Sequence, residues 1–479
     1  MTRLRPRLLP VGLVLALAAC NLAPPYERPA LPVTQTWPAQ GGPGAVPPAP
    51  SPVSGGDLAW RDVFLDPRLQ GVIDLALREN RDLRIAVGNI AKARGQYGVQ
   101  RAELFPSLSA NSGLARSRTP ASISGVGAAV DATEYSANVG VAAYEVDLFG
   151  RVRNLNEAAL QSFFAAEENR RAAQISLIAE VATDYLTLAA DQDQLALART
   201  TAATRDESLR ITRSRFAAGA ASELDVNQVE TLAEQAHADA ATATAQVDQD
   251  LDALRLVVGA DVPAELLPAG ALPSIQLRQD LPAGLPSEVL TRRPDVLAAE
   301  HTLEGQNANI GAARAAFFPR ITLTGAAGVA SADLGSLFAP GSGAWSFAPQ
   351  VSLPIFDGGA NRANLASARA SRDIAVAQYE KAIQVAFRDV AVALAVQATI
   401  ADRVASQERL VAAADSARRL SQARYDRGVD SYLTLLDAQR TLYAAQQALI
   451  ATRLAAAANR VSLYSALGGG AHAGPTDPR

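Results

Sequence analysis

Trp345-Ser346-Phe347-Ala348-Pro349-Gln350-Val351-Ser352-Leu353 changes character at every step. In an extended strand Trp345, Phe347, Pro349, Val351 and Leu353 share one face, and Ser346, Ala348, Gln350 and Ser352 share the other. Three other stretches alternate in the same way. Leu108, Ala110, Ser112 and Leu114 form one row, Tyr135, Ala137, Val139, Val141 and Ala143 a second, and Ile321, Leu323, Gly325, Ala327 and Val329 a third. Each run is about ten residues long, the length at which a tilted strand crosses a bilayer. One apolar face and one small, polar face suit lipid outside and water inside. A soluble sheet with its polar face outward alternates too, so the pattern alone leaves both open.

Outward from the strands, the chain states one pattern twice. Leu104-Phe105-Pro106-Ser107-Leu108-Ser109 is echoed by Phe317-Phe318-Pro319-Arg320-Ile321-Thr322. Asp147-Leu148-Phe149-Gly150-Arg151 is echoed by Ile355-Phe356-Asp357-Gly358-Gly359, and Arg215-Phe216-Ala217-Ala218-Gly219 by Arg424-Tyr425-Asp426-Arg427-Gly428. Leu104 to Phe317 is 213 residues, Phe149 to Phe356 is 207 and Arg215 to Arg424 is 209. A duplicated unit of this size predicts a pseudo-symmetric body such as a tube wall.

A very long proline-free stretch follows each strand pair, residues 151–216 and 361–425. As helices these would each run about 100 Å. In the last helix Leu433, Leu436, Arg440, Tyr443, Gln447, Ile450, Leu454, Ala457, Val461 and Tyr464 keep steps of three and four, a heptad seam. Leu435, Leu442, Leu449, Ala456 and Leu463 form a second row beside it. Gly219 and Gly428 stand where a helix ends. Ser222 with Asp225 three residues on predicts a capping box, and Ser431 takes the matching place. An earlier helix is predicted over 69–93.

The expected division is a first repeat at 57–270, with strands near 106–117 and 134–147 and a helical hairpin near 151–258. A linker at 271–291 leads to a second repeat at 292–467, with strands near 320–331 and 345–355 and a hairpin near 358–466. Residues 468–479 read as a flexible tail.

Composition narrows the function. Of 479 residues, 49% are hydrophobic and 19% charged, which suits long packed helices rather than a disordered chain. The formal net charge is −4, and Lys92 and Lys381 are the only lysines, so no basic cluster points to nucleic acid. Arg3, Arg5 and Arg7 precede an apolar run at 8–19 that is too short to span a bilayer as a helix. It reads as a signal peptide, residues 1–19. Leu17-Ala18-Ala19-Cys20 resembles a bacterial lipobox, which implies a covalent lipid on Cys20, the sole cysteine, and adds an apolar anchor. Residues 20–56, rich in Pro and Gly, then read as an extended linker. Asn21 in place of Asp favours the outer membrane by that same resemblance.

Four strands cannot close a membrane barrel, because the smallest types need about eight. An open sheet in lipid leaves edge groups unsatisfied. If the strands span a membrane, the chain therefore oligomerises, and three copies supply twelve strands with a ring of helical hairpins.

Arg292-Arg293-Pro294-Asp295-Val296, Ile310 through Pro319, Leu353-Pro354-Ile355-Phe356-Asp357-Gly358-Gly359 and Gly428 through Arg440 together carry a resemblance to bacterial outer-membrane efflux channels of the TolC/OprM type, lipoprotein branch. It covers nearly everything from Trp60 to Gly468. It implies a homotrimeric conduit, a β-barrel through the outer membrane continued by a periplasmic α-barrel, that exports drugs or other small molecules. Implied partners are a periplasmic adaptor and an inner-membrane pump, of the RND type by expectation. It also implies that the tips around Gly219 and Gly428 form a periplasmic entrance, with Asp225, Leu433, Asp437 and Arg440 at the gate. Three copies of Asp437 would make a negative ring. Leu433 would add an apolar constriction, and Asp437 and Arg440 are spaced to pair along the helix, as an ordinary exposed pair also would be. A type I secretion channel shares the fold, and a periplasmic coiled-coil adaptor lipoprotein is the rival of another class. An adaptor has one helical hairpin and small soluble β domains.

No catalytic constellation stands out, so the chain does not read as an enzyme. His237, His301 and His472 are far apart, neither lysine follows a Gly-rich loop, and Met1 is the only methionine. No cofactor or metal is expected beyond the lipid.

Overall fold

The structure, a computed structural model, describes residues 21–39, 57–284 and 286–470. Cys20, the signal peptide, most of the 468–479 tail and part of the predicted linker lie outside the described residues. The described chain falls into two compact units. One comprises residues 21–29, 89–167 and 298–379, and the other the remainder.

Helices α1 (Trp60–Val63), α2 (Pro67–Glu79) and α3 (Arg81–Ala102) precede strands β1 (Leu108–Thr119) and β2 (Val130–Glu145). Then come α4 (Arg151–Ala217) and α5 (Glu223–Val258), followed by α6 (Pro286–Arg292) and α7 (Pro294–Ala315). The second copy of the pattern follows as β3 (Arg320–Ser331), β4 (Gly343–Ser352), α8 (Ala360–Asp426) and α9 (Tyr432–Ala466). Helices α4 and α8 are each 67 residues long, and each is followed after a short turn by a second long helix, α5 or α9.

In the first unit the strands build one antiparallel sheet in the order β1-β2-β3-β4, so the two repeats meet at β2 and β3. The predicted rows fall in register. Ala110 pairs with Val139, Val139 with Ala327, and Ala327 with Trp345, all on one face. Among the described residues nothing covers that face, and Leu108, Leu114, Trp345, Phe347 and Val351 are all more than half exposed. The outer edges of β1 and β4 pair with nothing among the described residues. Between Val141 and Tyr144 the register slips through a bulge, at which Ala143 takes a φ of 54°. Gly140 lets β2 and β3 approach, since a Cβ there would lie 2.6 Å from the Gly325 carbonyl.

Residues 21–29 have no regular structure, as expected of an extended linker, but they are held in place. They run along α7. The Leu22 carbonyl accepts from Arg314 and the Pro24 carbonyl from Asn307. Glu300, buried on α7, takes both arms of Arg28 at 2.6 and 2.9 Å and the Tyr26 hydroxyl at 3.0 Å. A buried carboxylate needs partners of this kind, and burial together with Glu300 pushes the Tyr26 phenol well above its usual range.

In the second unit Trp37 is buried too, stacked on Phe387 with its indole N–H on the Gly284 carbonyl. The helix predicted at 69–93 is two helices, because Asn80 interrupts it. Its amide donates to the Val257 carbonyl at 2.7 Å while its oxygen accepts the Leu83 N–H at 2.7 Å, which caps α3 and ties it to the end of α5. Within α2, Leu69, Val72, Ile73 and Ala76 are all buried, on the three-four spacing of one helix face. Phe64 and Tyr464 meet edge-on at 5.5 Å in the same core.

Candidate functional site

The hairpin tips belong to the second unit, and both use one turn. Gly219 has a φ of 74° and Gly428 a φ of 70°. The N–H of Gly219 bonds the Phe216 carbonyl and the N–H of Ala220 that of Arg215. Gly428 and Val429 repeat this on Tyr425 and Arg424. This double bond pattern satisfies the last helical carbonyls and needs a left-handed residue.

Beyond the turns the repeats diverge. Ser222 caps α5 through the predicted box, its hydroxyl accepting from the Asp225 N–H at 3.1 Å while the Asp225 carboxylate takes the Ser222 N–H at 2.9 Å and hydroxyl at 2.8 Å. Ser431 starts α9 without a side-chain cap. Three residues on from it stands Thr434, a poor substitute for the carboxylate of Asp225. The second turn is held instead by Arg424 on Asp430, at 2.6 and 2.8 Å.

The two hairpins share one apolar core near the tips. Leu209 of α4, Val229 and Ala233 of α5, and Tyr432, Leu435 and Leu436 of α9 pack together, with Val226, Leu232 and Tyr425 against them. The Arg215 guanidinium lies 5.1 Å from the centre of the Tyr425 ring, which in turn sits 5.1 Å from Tyr432. Both rows read from the sequence contribute here: Leu435 and Leu442 of the second are buried and so is Leu436 of the first, whereas Leu433 and Arg440 of the first are exposed.

Leu433, Asp437 and Arg440 therefore lie together, on one exposed stripe of α9. Leu433 is 60% exposed, which leaves its side chain free to meet something outside this chain. Asp437 and Arg440 do not pair with each other, and neither has an ion-pair partner among the described residues. Asp225 does not join this stripe; its carboxylate is engaged in the cap of α5, on the far side of Tyr432 from it in sequence and close enough to raise the Tyr432 phenol, behind the larger effect of burial.

Sequence reasoning missed Arg205. It sits on α4, buried, with its guanidinium on the Gln439 side-chain oxygen. One arginine in a long helix gives no local signal of this, since its burial depends on where α9 packs.

In the first unit the strand-to-helix junction is charged. Glu145 ends β2 and holds Arg151 at 2.8 Å and Arg320 at 2.6 Å. Asp147 binds the Arg153 N–H, and Asp357 binds those of Gly359 and Asn361. Those backbone bonds, Asn361 first, hold the Asp357 carboxyl below its usual range. Both aspartates serve as turn and cap residues, as their sequence positions predict. Phe149 stacks on Phe318 at 4.7 Å beside a cavity of about 400 Å³. Among the described residues no group of three His, Cys, Asp or Glu is placed to hold a metal ion.

These features, a four-strand sheet with a bare apolar face and two helical hairpins in a twofold repeat, have counterparts in known proteins. A family model described as "Outer membrane efflux protein" matches residues 72–260 and again 285–469. The toluene efflux pump outer membrane protein TtgC of Pseudomonas putida is 46% identical over 454 residues, covering 95% of this chain and 93% of that protein. Outer membrane protein OprJ of Pseudomonas aeruginosa is 43% identical over 461 residues, covering 96% and 94%. The open-state crystal structure of the Neisseria gonorrhoeae MtrE outer membrane channel superposes with a TM-score of 0.84 at 41% identity, covering 95% of this chain and 99% of that one. The double match and the near-complete coverage decide the matter: the chain belongs to the outer membrane efflux protein family.

Proposed function

We propose that three copies of this chain form a passive conduit through the outer membrane. Each contributes its four strands to a twelve-stranded barrel and its two hairpins to a helical ring in the periplasm. The carrying observation is the sheet, whose β1 and β4 edges are open and whose apolar face is bare. In lipid such edges cost several kcal/mol per unpaired group, so closure by further copies removes a large penalty. The conduit carries small molecules of the kind named for its relatives, toluene among them, and performs no chemistry on them. It receives them from an inner-membrane pump of the RND type through a periplasmic adaptor that meets the hairpin tips. The exposed stripe of Leu433, Asp437 and Arg440 narrows the entrance, and a lipid on Cys20 tethers the chain to the membrane.

The test is fractionation followed by electrophoresis with and without heating. A heat-modifiable trimer in the outer membrane is the expected result. A monomer that needs no detergent would refute the conduit.

A further inference from the structure

Four arginines near the tips have a carboxylate or an aromatic ring, and Arg427 and Arg440, which have neither among the described residues, are exposed to water. Arg210 holds Glu207 at 2.5 Å, Arg213 holds Glu230 at 3.0 Å, Arg424 holds Asp430 at 2.6 Å, and Arg215 lies over Tyr425. These are exposed or half-exposed. Arg205 differs on both counts. It is 6% exposed, and no carboxylate among the described residues pairs with it. Its neighbours are the neutral Gln439 and the phenol of Tyr432, with a second cation, Arg440, close enough to repel it. Burial first, and then Arg440, push its guanidinium below the usual range, with Tyr432 opposing them. The Tyr432 hydroxyl is itself buried without a hydrogen-bond partner. The joint between α4 and α9 thus encloses one unpaired charge and one unsatisfied hydroxyl, just above the apolar cluster of Leu209, Leu435 and Leu436.

Burying a charge without a counter-ion is unfavourable, and replacing such a charge by an apolar residue of similar volume commonly stabilises packing. Water would relieve both groups if α4 and α9 separated here. A ring of hairpins cannot widen at its tips unless neighbouring hairpins shift against each other, and here α4 of one hairpin packs on α9 of the other within one chain.

We propose that Arg205 is a spring at the entrance: its buried, uncompensated charge weakens the packed state of the two hairpins and favours their separation. This rests on the tips being the entrance. Arg205 is a positioning residue, acting through the packing of α9 and not through contact with the transported molecule.

Three variants of the purified trimer, Arg205→Met, Arg205→Gln and Arg205→Lys, test it in planar bilayers, with opening frequency as the readout. Arg205→Met and Arg205→Gln are expected to open several-fold less often than the unsubstituted trimer. Arg205→Lys, which keeps the charge, is expected to restore the original frequency, a rescue that lost packing volume alone does not explain. More frequent openings with Met or Gln would overturn the proposal, because Arg205 would then be a latch onto Gln439. Unchanged frequency would overturn it as well. Failure of both Met and Gln to assemble, judged by heat-modifiable migration, also counts against it, since a charge that only strains the packing is dispensable for folding. The double variant Asp437→Ala with Arg440→Ala runs alongside. If neither it nor any Arg205 variant alters the current, the entrance reading itself fails. If the double variant raises conductance while Met and Gln leave opening unchanged, the spring alone fails.

Discussion

Gly219 and Gly428 allow each 67-residue helix to stop and reverse, because a residue with a Cβ resists the left-handed conformation that both adopt. These glycines, and the Ser222–Asp225 box, were legible in the sequence because their partners lie within a few residues. The box also separates the repeats energetically. Ser222→Ala removes a real cap and is predicted to cost about 1 kcal/mol. Ser431→Ala removes none, so calorimetry of the two variants should show a loss for the first only. The stripe of Leu433, Asp437 and Arg440 was singled out only through family resemblance, and its role at a gate is part of the proposed function. Spacing suggested an Asp437–Arg440 pair, and the structure leaves both side chains apart and exposed. On the proposed function, their effect on the current would belong to the assembled ring and not to an intrahelical bond. Asp437→Ala with Arg440→Ala is predicted to raise single-channel conductance of the trimer, and an unchanged conductance would remove these residues from the gate. Arg205 was not legible at all, since nothing near it in sequence announces that α9 will cover it.

Among elements, the long helices and the strands were the easiest to read, because period and length agree over many residues. The interruption at Asn80 was not, because it depends on the Val257 carbonyl, 177 residues away. The contacts of 21–29 were not legible for a similar reason: Pro-rich composition signals a lack of regular structure, which the segment has, but not that Tyr26 and Arg28 find a distant carboxylate in Glu300. Glu300→Gln loses the charge that Arg28 grips. It is predicted to speed cleavage after Glu27 by a glutamate-specific protease while leaving the trimer assembled. Between α4 and α5 lies a pH-dependent element. Burial, then Asp250, push the Asp191 carboxyl up to about 7, and burial, then Glu180 and Asp250, push Asp184 up to about 6. The unfolded chain loses these protons near the ordinary value of 3.8, so the folded chain binds more protons between there and about 7. Stability from this pair is thus present at acid pH and lost as pH rises through that window. Asp191→Asn is predicted to flatten the fall in melting temperature over the same range.

For the whole molecule, the repeat has a physical meaning. Each copy supplies two strands and one helical hairpin, and the copies join at β2 and β3, so that β1 and β4 remain for other chains. Three chains would then provide six similar staves, with the difference between the two tips concentrated in Asp225 on one side and Leu433, Asp437 and Arg440 on the other. Strand number called for oligomerisation only if the strands span a membrane, and the order in which they pair was not legible, because a hairpin pattern does not say that the second strand of one repeat meets the first of the next. The most direct test joins the open edges. Cys20 is the only native cysteine, so a cysteine at Asn111 on β1, which shares a face with Ala344, combined with a scan of Ala344, Ser346, Ala348 and Gln350 on β4 reports on edge pairing in isolated outer membranes. At least one combination is predicted to yield a covalent trimer on oxidation that collapses to monomer on reduction. Monomer alone across the whole scan would contradict the closed trimeric barrel.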